Sequence, residues 1–343
     1  MAKIRTNKDK LACKDKLAWL RAALLDWYDR NRRDLPWRRS RDPYAIWVSE
    51  VMLQQTRVAA VVEKYQAFLA RFPTVVALAM APEQEVLAQW SGLGYYRRAR
   101  MLHKAAQLVA GAARGQMPNT AAELRALPGI GGYTAAAIAS IAFGERVAVV
   151  DGNVERVLCR IAGWDANGAY RRKVEELAAQ LVDEERPGDF NQAMMELGAT
   201  VCLPRNPRCL VCPVSEDCKT RGEHKTAARP RMVSSEVGCG LFLRKAGQVL
   251  LEQRPSTVSV MPGLWELPWL RETPNEHIRF TVRHAIMNVN YVVRVCDVRG
   301  RDLDGLTVAG GERQWIRLRD AFGMALTGLA RKVLKRVVAE EIG

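Results

Sequence analysis

Apolar residues recur every three or four positions from Trp19 to about Cys202, and no stretch there alternates with the period of two that half-buried strands show. The spacing is clear at Leu17, Leu20, Leu24 and Trp27. Proline or glycine interrupts the pattern repeatedly, as helix ends require. The pattern predicts an all-α domain at residues 16–219, preceded by a basic flexible tail at 1–15.

The pattern changes after residue 219. Residues 220–235 are polar and basic, which is typical of a linker. The segments beyond it predict a hairpin, a further strand and a terminal amphipathic helix, at Val237–Arg244 with Gln248–Gln253, Tyr291–Val298 and Leu326–Glu341. We therefore predict an α/β domain at 236–343, so that the fold class is multidomain, all-α followed by α/β.

The composition is that of a packed globular protein, with 343 residues, 48% hydrophobic and 26% charged. No run reaches the roughly 18 apolar residues of a membrane helix. The opening MAKIRTNKDK lacks the apolar core of a secretory signal. We expect a soluble monomer without a membrane partner in the cytoplasm, associated with the nucleoid if the cell is bacterial.

The net charge of +15 favours a polyanionic partner. Several arginines lie beside glycine, proline and tryptophan turn signals and not along one solvated helix face: Arg38, Arg39, Arg41, Arg97, Arg98, Arg100, Arg205 and Arg208. A basic surface that serves only solubility is the alternative. The pattern favours nucleic acid binding.

Four of the eight cysteines crowd into one short segment with the spacing C-x6-C-x2-C-x5-C: Cys202, Cys209, Cys212 and Cys218. In an intracellular protein such crowding indicates a metal site, because disulfides are rare there. Spacing alone leaves zinc and an iron–sulfur cluster both open. Arg205 and Arg208 lie in the first interval, so the metal would shape a basic, phosphate-binding loop.

A glycine turn separates two helical stretches in the segment LPGIGGYT, residues 127–134. Gly129 and Gly131 allow a tight turn whose N–H groups, with the next helix N-terminus, can bind a phosphate. An ordinary interhelical turn is the alternative. The full segment followed by an alanine-rich helix favours a helix-hairpin-helix that binds a DNA backbone.

Two carboxylates stand in contrasting surroundings. Glu50 is the single charge in the apolar stretch 45–53, where burial would raise its pKa, although a polar helix face beside Ser49 is the alternative. Asp151 ends the apolar run 147–150 just before a helix, where it serves as a cap and is stabilised as an anion. One acid and one anion are the pair that glycoside cleavage requires.

The order of these motifs resembles the endonuclease III superfamily of DNA glycosylases, and within it the MutY-type adenine glycosylases. The resemblance covers about residues 15–225 and rests on the cysteine spacing and five segments: LPWR at 35–38, DPYAIWVSEVMLQQT at 42–56, GLGYYRRAR at 92–100, LPGIGGYTA at 127–135 and VVDGNVERV at 149–157. It implies a [4Fe–4S] cluster and double-stranded DNA containing 8-oxoG:A or G:A mispairs as partner.

The resemblance also implies roles for single residues. Protonated Glu50 would donate to adenine N7, Asp151 would stabilise the cationic sugar by charge or as a covalent adduct, and Tyr133 and Asn153 would brace that site. Leu35, Arg38 and Glu196 would surround the base. Gln54 and Tyr95 would enter the duplex.

Tyr133 stands where the strand-cutting relatives carry a lysine that forms a Schiff base with the sugar. Tyrosine cannot form this bond, so we expect a monofunctional glycosylase. Within the superfamily, a thymine or uracil glycosylase acting opposite guanine is the alternative. A catalytically silent lesion-binding protein is the alternative from another class.

The second domain resembles the Nudix-like domain of the MutY type, which recognises 8-oxoguanine. It lacks the glutamate row of a Nudix hydrolase, which argues against a nucleotide-pool hydrolase. The loop motif Phe-Ser-His of many relatives aligns here with Val282-Arg283-His284, so Arg283 replaces the serine. His284 is expected either to read a base edge or to cap a strand beginning near Asn290.

Overall fold

The computed structural model describes residues 7–112, 115–165, 170–222, 232–244, 247–272, 277–286, 289–298 and 311–342. They form two compact units. Unit one comprises residues 1–54 and 108–228, and unit two comprises 55–107 and 229–343. Unit two thus includes part of the segment that the sequence assigns to one helical domain at 16–219.

The described helices are α1 (Asn7–Asn31), α2 (Pro43–Leu53), α3 (Val58–Arg71), α4 (Val75–Met80), α5 (Glu83–Trp90), α6 (Arg97–Ala112), α7 (Ala121–Leu124), α8 (Gly132–Phe143), α9 (Gly152–Ala162), α10 (Arg171–Leu181), α11 (Pro187–Thr200), α12 (Leu318–Ala321) and α13 (Gly328–Ile342). Short 3-10 turns cover Pro36–Arg38 and Cys209–Val211. The described strands are β1 (Val233–Leu241), β2 (Leu243–Arg244), β3 (Gln248–Gln253), β4 (Trp265–Glu266), β5 (Ile278–Ile286), β6 (Val289–Asp297) and β7 (Arg313–Arg317).

Helix α1 starts earlier than the sequence pattern predicts. It begins at Asn7, so the flexible tail predicted for 1–15 is wrong for residues 7–15. Six of the nine residues from Lys8 to Lys16 are lysine, leucine or alanine, which are good helix formers, and none is proline or glycine. The helix can therefore extend backwards without an apolar stripe.

The described elements of unit one are all helices, joined by loops, as the three-to-four spacing predicts. Its core is formed by apolar faces of α1, α9, α10 and α11, with Leu24, Tyr28 and Leu158 almost completely buried. Burial of each such side chain contributes on the order of 1.5–3 kcal/mol. Helix α8 packs against α2 and α11, and so joins the segments that carry the candidate site residues.

Unit two contains two small sheets. In one, β6 lies between β1, which is parallel to it, and β5, which is antiparallel. In the other, β3 pairs with β2, β4 and β7 in antiparallel fashion. Helix α13 buries Val333, Leu334 and Val337 against the same core as Leu251 and Val293.

Strands β3 and β6 match the strands predicted at Gln248–Gln253 and Tyr291–Val298. The strand predicted at Val237–Arg244 is instead divided between β1 and β2, and only Leu243 and Arg244 pair with β3 as the hairpin requires. The sequence pattern missed β5 and β7. Strand β1 begins at Val233, so the predicted linker 220–235 is too long at its end, while 223–231 lie outside the described residues. Helix α13 begins at Gly328, two residues after the predicted start, because the Thr327 hydroxyl caps it by accepting from the Ala330 N–H at 3.2 Å.

Hydrogen bonds explain why 55–107 belong to unit two. The Tyr96 hydroxyl donates to the Leu326 carbonyl at 2.8 Å, and the Ser91 hydroxyl donates to the same oxygen at 3.2 Å. The Arg331 Nε donates to Ser91 Oγ at 2.7 Å. None of the described helices is both long and apolar enough to cross a membrane.

Candidate active site

Helix α2 carries Glu50 into the interior. Its start is fixed by Asp42, whose carboxylate accepts from the Tyr44 N–H at 3.1 Å, and by Pro43 at the first helical position. The side chains from Tyr44 to Met52 are all buried, so Glu50 is only 6% exposed. Glu50 Oε2 is buried and has no hydrogen-bond partner among the described residues. The alternative of a surface glutamate is therefore wrong.

Burial gives Glu50 an unusual affinity for its proton. Loss of solvent raises the pKa of Glu50, a hydrogen bond with Tyr133 lowers it, and the negative charge of Asp151 raises it again, to a pKa of about 7. Near neutral pH this carboxyl can therefore both hold and release a proton.

Asp151 has the opposite environment. It caps α9, with Oδ1 accepting from the N–H groups of Asn153 at 2.9 Å and Val154 at 2.7 Å. The Asn153 side-chain amide donates to Oδ2 at 3.0 Å. Three N–H donors thus hold this carboxylate at the N-terminus of the helix. Asp151 is therefore the cap of α9, as its position just before the helix predicts.

Tyr133 interacts electrostatically with both carboxylates. It lies in the first turn of α8, and its hydroxyl is a hydrogen-bond partner of Glu50 and lies 3.2 Å from Met195 Sδ. Burial and the charges of Glu50 and Asp151 raise the pKa of Tyr133 well above 10. The phenol therefore stays protonated and can donate a hydrogen bond.

A second charged cluster lies in the same unit. Glu196 on α11 is 1% exposed and accepts from Arg33 Nε and Nη2, both at 2.7 Å, and from Arg38 Nη2 at 2.8 Å. Burial opposes ionisation of Glu196, but these arginines outweigh it and lower its pKa to about 2. Arg38 also acts electrostatically on Glu50, which connects the cluster to the carboxylate pair. Leu35 is buried and accepts from the Arg38 N–H at 2.9 Å.

Arg156 links Asn153 to the cysteine loop. Its Nη2 donates to Asn153 Oδ1 and to the Gly198 carbonyl, both at 2.8 Å, and its Nε donates to the Cys202 carbonyl at 2.9 Å. Gly198 approaches Asn153 so closely that a Cβ there would lie 2.6 Å from Asn153 Cβ. Asn153 is thus held from both sides.

The four clustered cysteines line one apolar cavity together with Arg160. Arg160 is 2% exposed and donates to Cys202 Sγ at 3.4 Å, while Cys218 Sγ donates to the Arg160 carbonyl at 3.4 Å. All the described cysteines are free thiols. Arg205 and Arg208 are exposed on this loop, as a phosphate-binding role would require.

The helix-hairpin-helix turn and Gln54 lie in unit one, whereas Tyr95 lies in unit two. In unit one, Gly129 has φ +77° and Gly131 precedes α8, so the tight turn needs glycine at the first position. Gln54 Nε2 donates to Thr134 Oγ1 at 3.3 Å. In unit two, Tyr95 is 52% exposed with φ +47°, an uncommon conformation for a residue other than glycine.

His284 does not cap a strand. It lies within β5, paired with Tyr291, because β5 continues to Ile286 before β6 begins at Val289. Its ring lies about 3.2 Å from the position of a Cβ on Gly328. Burial lowers the pKa of His284. The reading of a base edge stays a prediction.

Sequence reasoning missed Arg33, Arg156 and Arg160. Arg33 is one of many arginines near the N-terminus, and nothing in its spacing marks it as the main partner of Glu196. Arg156 had a usable signal, since it lies one helical turn after Gly152 and three residues after Asn153 on α9.

Comparison with known proteins indicates the family to which the chain is related. A family model described as HhH-GPD superfamily base excision DNA repair protein matches residues 48–184. The adenine DNA glycosylase of Homo sapiens is 40% identical over 321 residues, covering 76% of this chain and 59% of the human protein. The one from Rattus norvegicus is 47% identical, covering 74% of this chain and 61% of the rat protein. The chain therefore spans about three fifths of these relatives.

Solved structures and a shorter relative extend the comparison. A thermostable thymine-DNA glycosylase has a TM-score of 0.58 at 31% identity, covering 61% of this chain and 98% of that one. Endonuclease III in a non-covalent DNA complex has a TM-score of 0.51 at 24% identity over 64% of this chain and 97% of that one, which shows the fold alone. The adenine DNA glycosylase of Mycolicibacterium smegmatis is 42% identical, covering 73% of this chain and 85% of the relative. This chain belongs to the adenine DNA glycosylase family of the HhH-GPD superfamily.

Proposed function

We propose that this chain is a monofunctional adenine DNA glycosylase that hydrolyses the N-glycosidic bond of adenine mispaired with 8-oxoguanine or guanine. The observation that carries the proposal is the buried Glu50, with a pKa of about 7, beside Tyr133 and the capped Asp151. We assign Glu50 as the acid and Asp151 as the group that stabilises the sugar cation.

The adenine must leave the base stack before it can react, at a cost of a few kcal/mol. Protonated Glu50 then donates to N7 of the flipped base. As the C1′–N9 bond breaks, its electron pair passes to the protonated ring, and adenine leaves as a neutral molecule. The Glu50 carboxylate remains.

The sugar is left with a positive charge that Asp151 stabilises, either through space or by a covalent bond to C1′. Three N–H donors hold the Asp151 carboxylate in a fixed position for this role. Water then adds at C1′, and its proton returns to Glu50. The product is an abasic site in an intact strand, because Tyr133 offers no amine for a Schiff base.

The charged cluster around Glu196 supports recognition of the base. The Glu196 carboxylate accepts four hydrogen bonds, two from Arg33 Nε and Nη2, one from the Arg33 backbone N–H and one from Arg38, and so fixes both arginines. Arg38 also acts on Glu50, and Leu35 supplies an apolar wall. We assign these residues to the wall of the base pocket.

The cysteine loop supports a [4Fe–4S] cluster held by Cys202, Cys209, Cys212 and Cys218. The four residues surround one cavity, yet among the described residues no three or more His, Cys, Asp or Glu side chains are arranged for a single metal ion. A cubane spreads its ligands more widely than one zinc ion does. When bound, the cluster supplies thiolate–iron bonds that fix the basic loop.

Iron and sulfide analysis of the purified protein tests this assignment. We expect four irons and four sulfides per chain, lost in Cys212→Ser and kept in Cys296→Ser, a control in β6. A stoichiometric zinc ion in place of iron would contradict the cluster.

The contacts with DNA follow from the same resemblance. The helix-hairpin-helix turn at Gly129 and Gly131 would bind a backbone phosphate, and Gln54 and Tyr95 would fill the gap left by the flipped adenine. The 52% exposure of Tyr95 and the basic net charge of +15 support this interaction.

The sheets and helix α13 of unit two support a Nudix-like domain that recognises 8-oxoguanine. The glutamate row of a metal-binding Nudix helix is missing after Pro268, where only Glu272 precedes Thr273, and this does not favour hydrolysis. The half-buried His284 on β5 is the candidate reader. We expect His284→Asn to reduce the preference for 8-oxoG:A over G:A about tenfold, whereas the control His277→Asn does not. If both variants show the same preference for 8-oxoG:A over G:A, His284 does not take part in recognition.

The similarity to a thymine-DNA glycosylase, at 31% identity, makes excision of thymine or uracil opposite guanine the second candidate function. Duplexes with 8-oxoG:A, G:A, G:T and G:U pairs, assayed side by side, distinguish the two. Chromatography identifies the released base, and a gel without alkali reports strand cleavage. We expect free adenine and uncut strands. Release of thymine or uracil without adenine would overturn the proposal.

A further inference from the structure

Two cations of unit two adjoin the turn that precedes Tyr95, and a third acts electrostatically on one of them. Arg331 on α13 donates to Ser91 Oγ at 2.7 Å and to the Phe322 carbonyl at 3.0 Å, so its guanidinium is fixed. Lys64 on α3 places its Cε 3.6 Å from the position of a Cβ on Gly92. Lys335 lies one helical turn after Arg331 on α13. We call these three residues the Lys64 cluster.

No carboxylate lies within ion-pair distance of the Lys64 cluster among the described residues, although the more distant charge of Glu63 acts on Lys64. Lys64 and Arg331 are half-buried, and Lys64 lies within electrostatic range of Arg331 and Lys335. Burial, followed by these two like charges, lowers the pKa of Lys64. Like charges that lie close together and are partly removed from solvent repel one another, and an anion that binds between them stabilises them.

The surroundings of the cluster indicate which anion binds. Ser91 and Gly92 open the turn that carries the exposed Tyr95, which the proposed function places inside the duplex. The first turn of α13 packs against β5, where His284 lies about 3.2 Å from the position of a Cβ on Gly328. Lys332 donates to the Arg283 carbonyl at 2.9 Å. The cluster therefore lies beside both the inserted side chain and the candidate reader of the opposite base.

We propose that the Lys64 cluster binds a backbone phosphate of the DNA strand that carries the base opposite the adenine. A phosphodiester has one negative charge and oxygens that accept from ammonium and guanidinium groups. This inference rests on the proposed function in so far as it needs DNA, and it adds a contact from α3 and α13 that the helix-hairpin-helix does not supply. The contact would anchor the reading domain on the inspected strand.

The salt dependence of DNA binding tests the proposal. We compare the native protein with Lys64→Gln/Lys335→Gln, using an 8-oxoG:A duplex whose adenosine carries a 2′-fluorine that blocks cleavage. Dissociation constants are measured between 50 and 200 mM salt. We expect the slope of log K against log[salt] to fall by about 1 and the Kd to rise about tenfold at 100 mM.

The control removes the same charge elsewhere. Arg172→Gln/Lys173→Gln changes two cations of α10 in unit one and is expected to keep the native slope. A native slope in the cluster variant, or an equal loss in the control, would overturn the proposal. If the double variant is less stable, the exposed Lys335 allows the single variant Lys335→Gln to be used instead, with a smaller expected change in slope and Kd.

Uncharged methylphosphonates identify the phosphate. The phosphodiester linkages are replaced one at a time. Replacement of one linkage on the strand opposite the adenine should weaken binding by the native protein about tenfold and leave binding by the cluster variant unchanged. A sensitive linkage on the adenine strand alone would contradict the strand assignment. A failure of the native protein to release adenine would refute the proposed function, and this outcome is separate from the salt dependence that tests the cluster.

Discussion

Glu50 holds its proton near neutral pH because α2 removes it from water, and Tyr133 partly offsets that effect. A general acid must be protonated, so excision should fall as pH rises through about 7, by up to tenfold per pH unit. Single-turnover rates on 8-oxoG:A duplexes between pH 5.5 and 9 measure this limb of the profile.

Tyr133→Phe gives a sharper test of the same account. The hydrogen bond from Tyr133 lowers the pKa of Glu50, so its removal should raise that pKa and move the falling limb to higher pH. Tyr170→Phe, at a tyrosine stacked on Trp164, is the control and should leave the limb in place. A shift of the Tyr133→Phe limb toward lower pH would show that the hydroxyl has another role.

The buried carboxylate should also cost stability. Its pKa is raised from 4.5 to about 7, so the folded state holds the proton more tightly than the unfolded state does. Stability is then lost as pH rises between these values, by about 3 kcal/mol in total. Glu50→Gln should therefore raise the melting temperature at pH 8 and change it little at pH 4.5. The exposed Glu175→Gln should show no such difference, and an unchanged melting temperature for Glu50→Gln at pH 8 would contradict the cost.

At this scale the sequence allows the carboxylates to be predicted, because one charge in an apolar stretch and one aspartate before a helix are local signals. It does not reveal Arg33 as a partner of Glu196, because the two residues lie 163 positions apart and only the packed fold brings them together. His284 shows the same limit, since its place within β5 depends on pairing with β6.

At the scale of elements, α9 and α11 fix Asn153 between them. Gly198→Ala should displace Asn153, because the new Cβ would lie 2.6 Å from Asn153 Cβ and helix backbones cannot yield easily. We expect at least a tenfold lower excision rate at saturating enzyme, with DNA affinity kept. Gly111→Ala in α6 is the control, since nothing lies within 4 Å of its Cβ position. A native rate in Gly198→Ala would show that Asn153 is not positioned by this contact.

The helices of unit one were predictable from apolar spacing, because each buries one face. Strand β5 had a usable signal, since apolar and polar residues alternate from Ile278 to Arg283, whereas β7 has only two adjacent apolar residues and depends on its pairing with β3. The early start of α1 shows that good helix formers extend a helix without an apolar face.

At the scale of the whole molecule, the sequence indicates a helical part followed by an α/β part, but chain order does not reveal that 55–107 pack with 229–343. That grouping depends on Ser91, Tyr96 and Arg331, whose hydrogen bonds span more than 200 positions. It matters for function, because the turn that carries Tyr95 and the candidate reader His284 then belong to one unit.

The most direct test of the central claim is single-turnover release of adenine from an 8-oxoG:A duplex at pH 7 by the native protein, Glu50→Gln and Glu175→Gln. We predict that the native protein and Glu175→Gln release adenine at equal rates, and that Glu50→Gln binds the duplex normally but is at least a thousandfold slower. Near-native release by Glu50→Gln would contradict the assignment of Glu50 as the acid, and with it this account of catalysis.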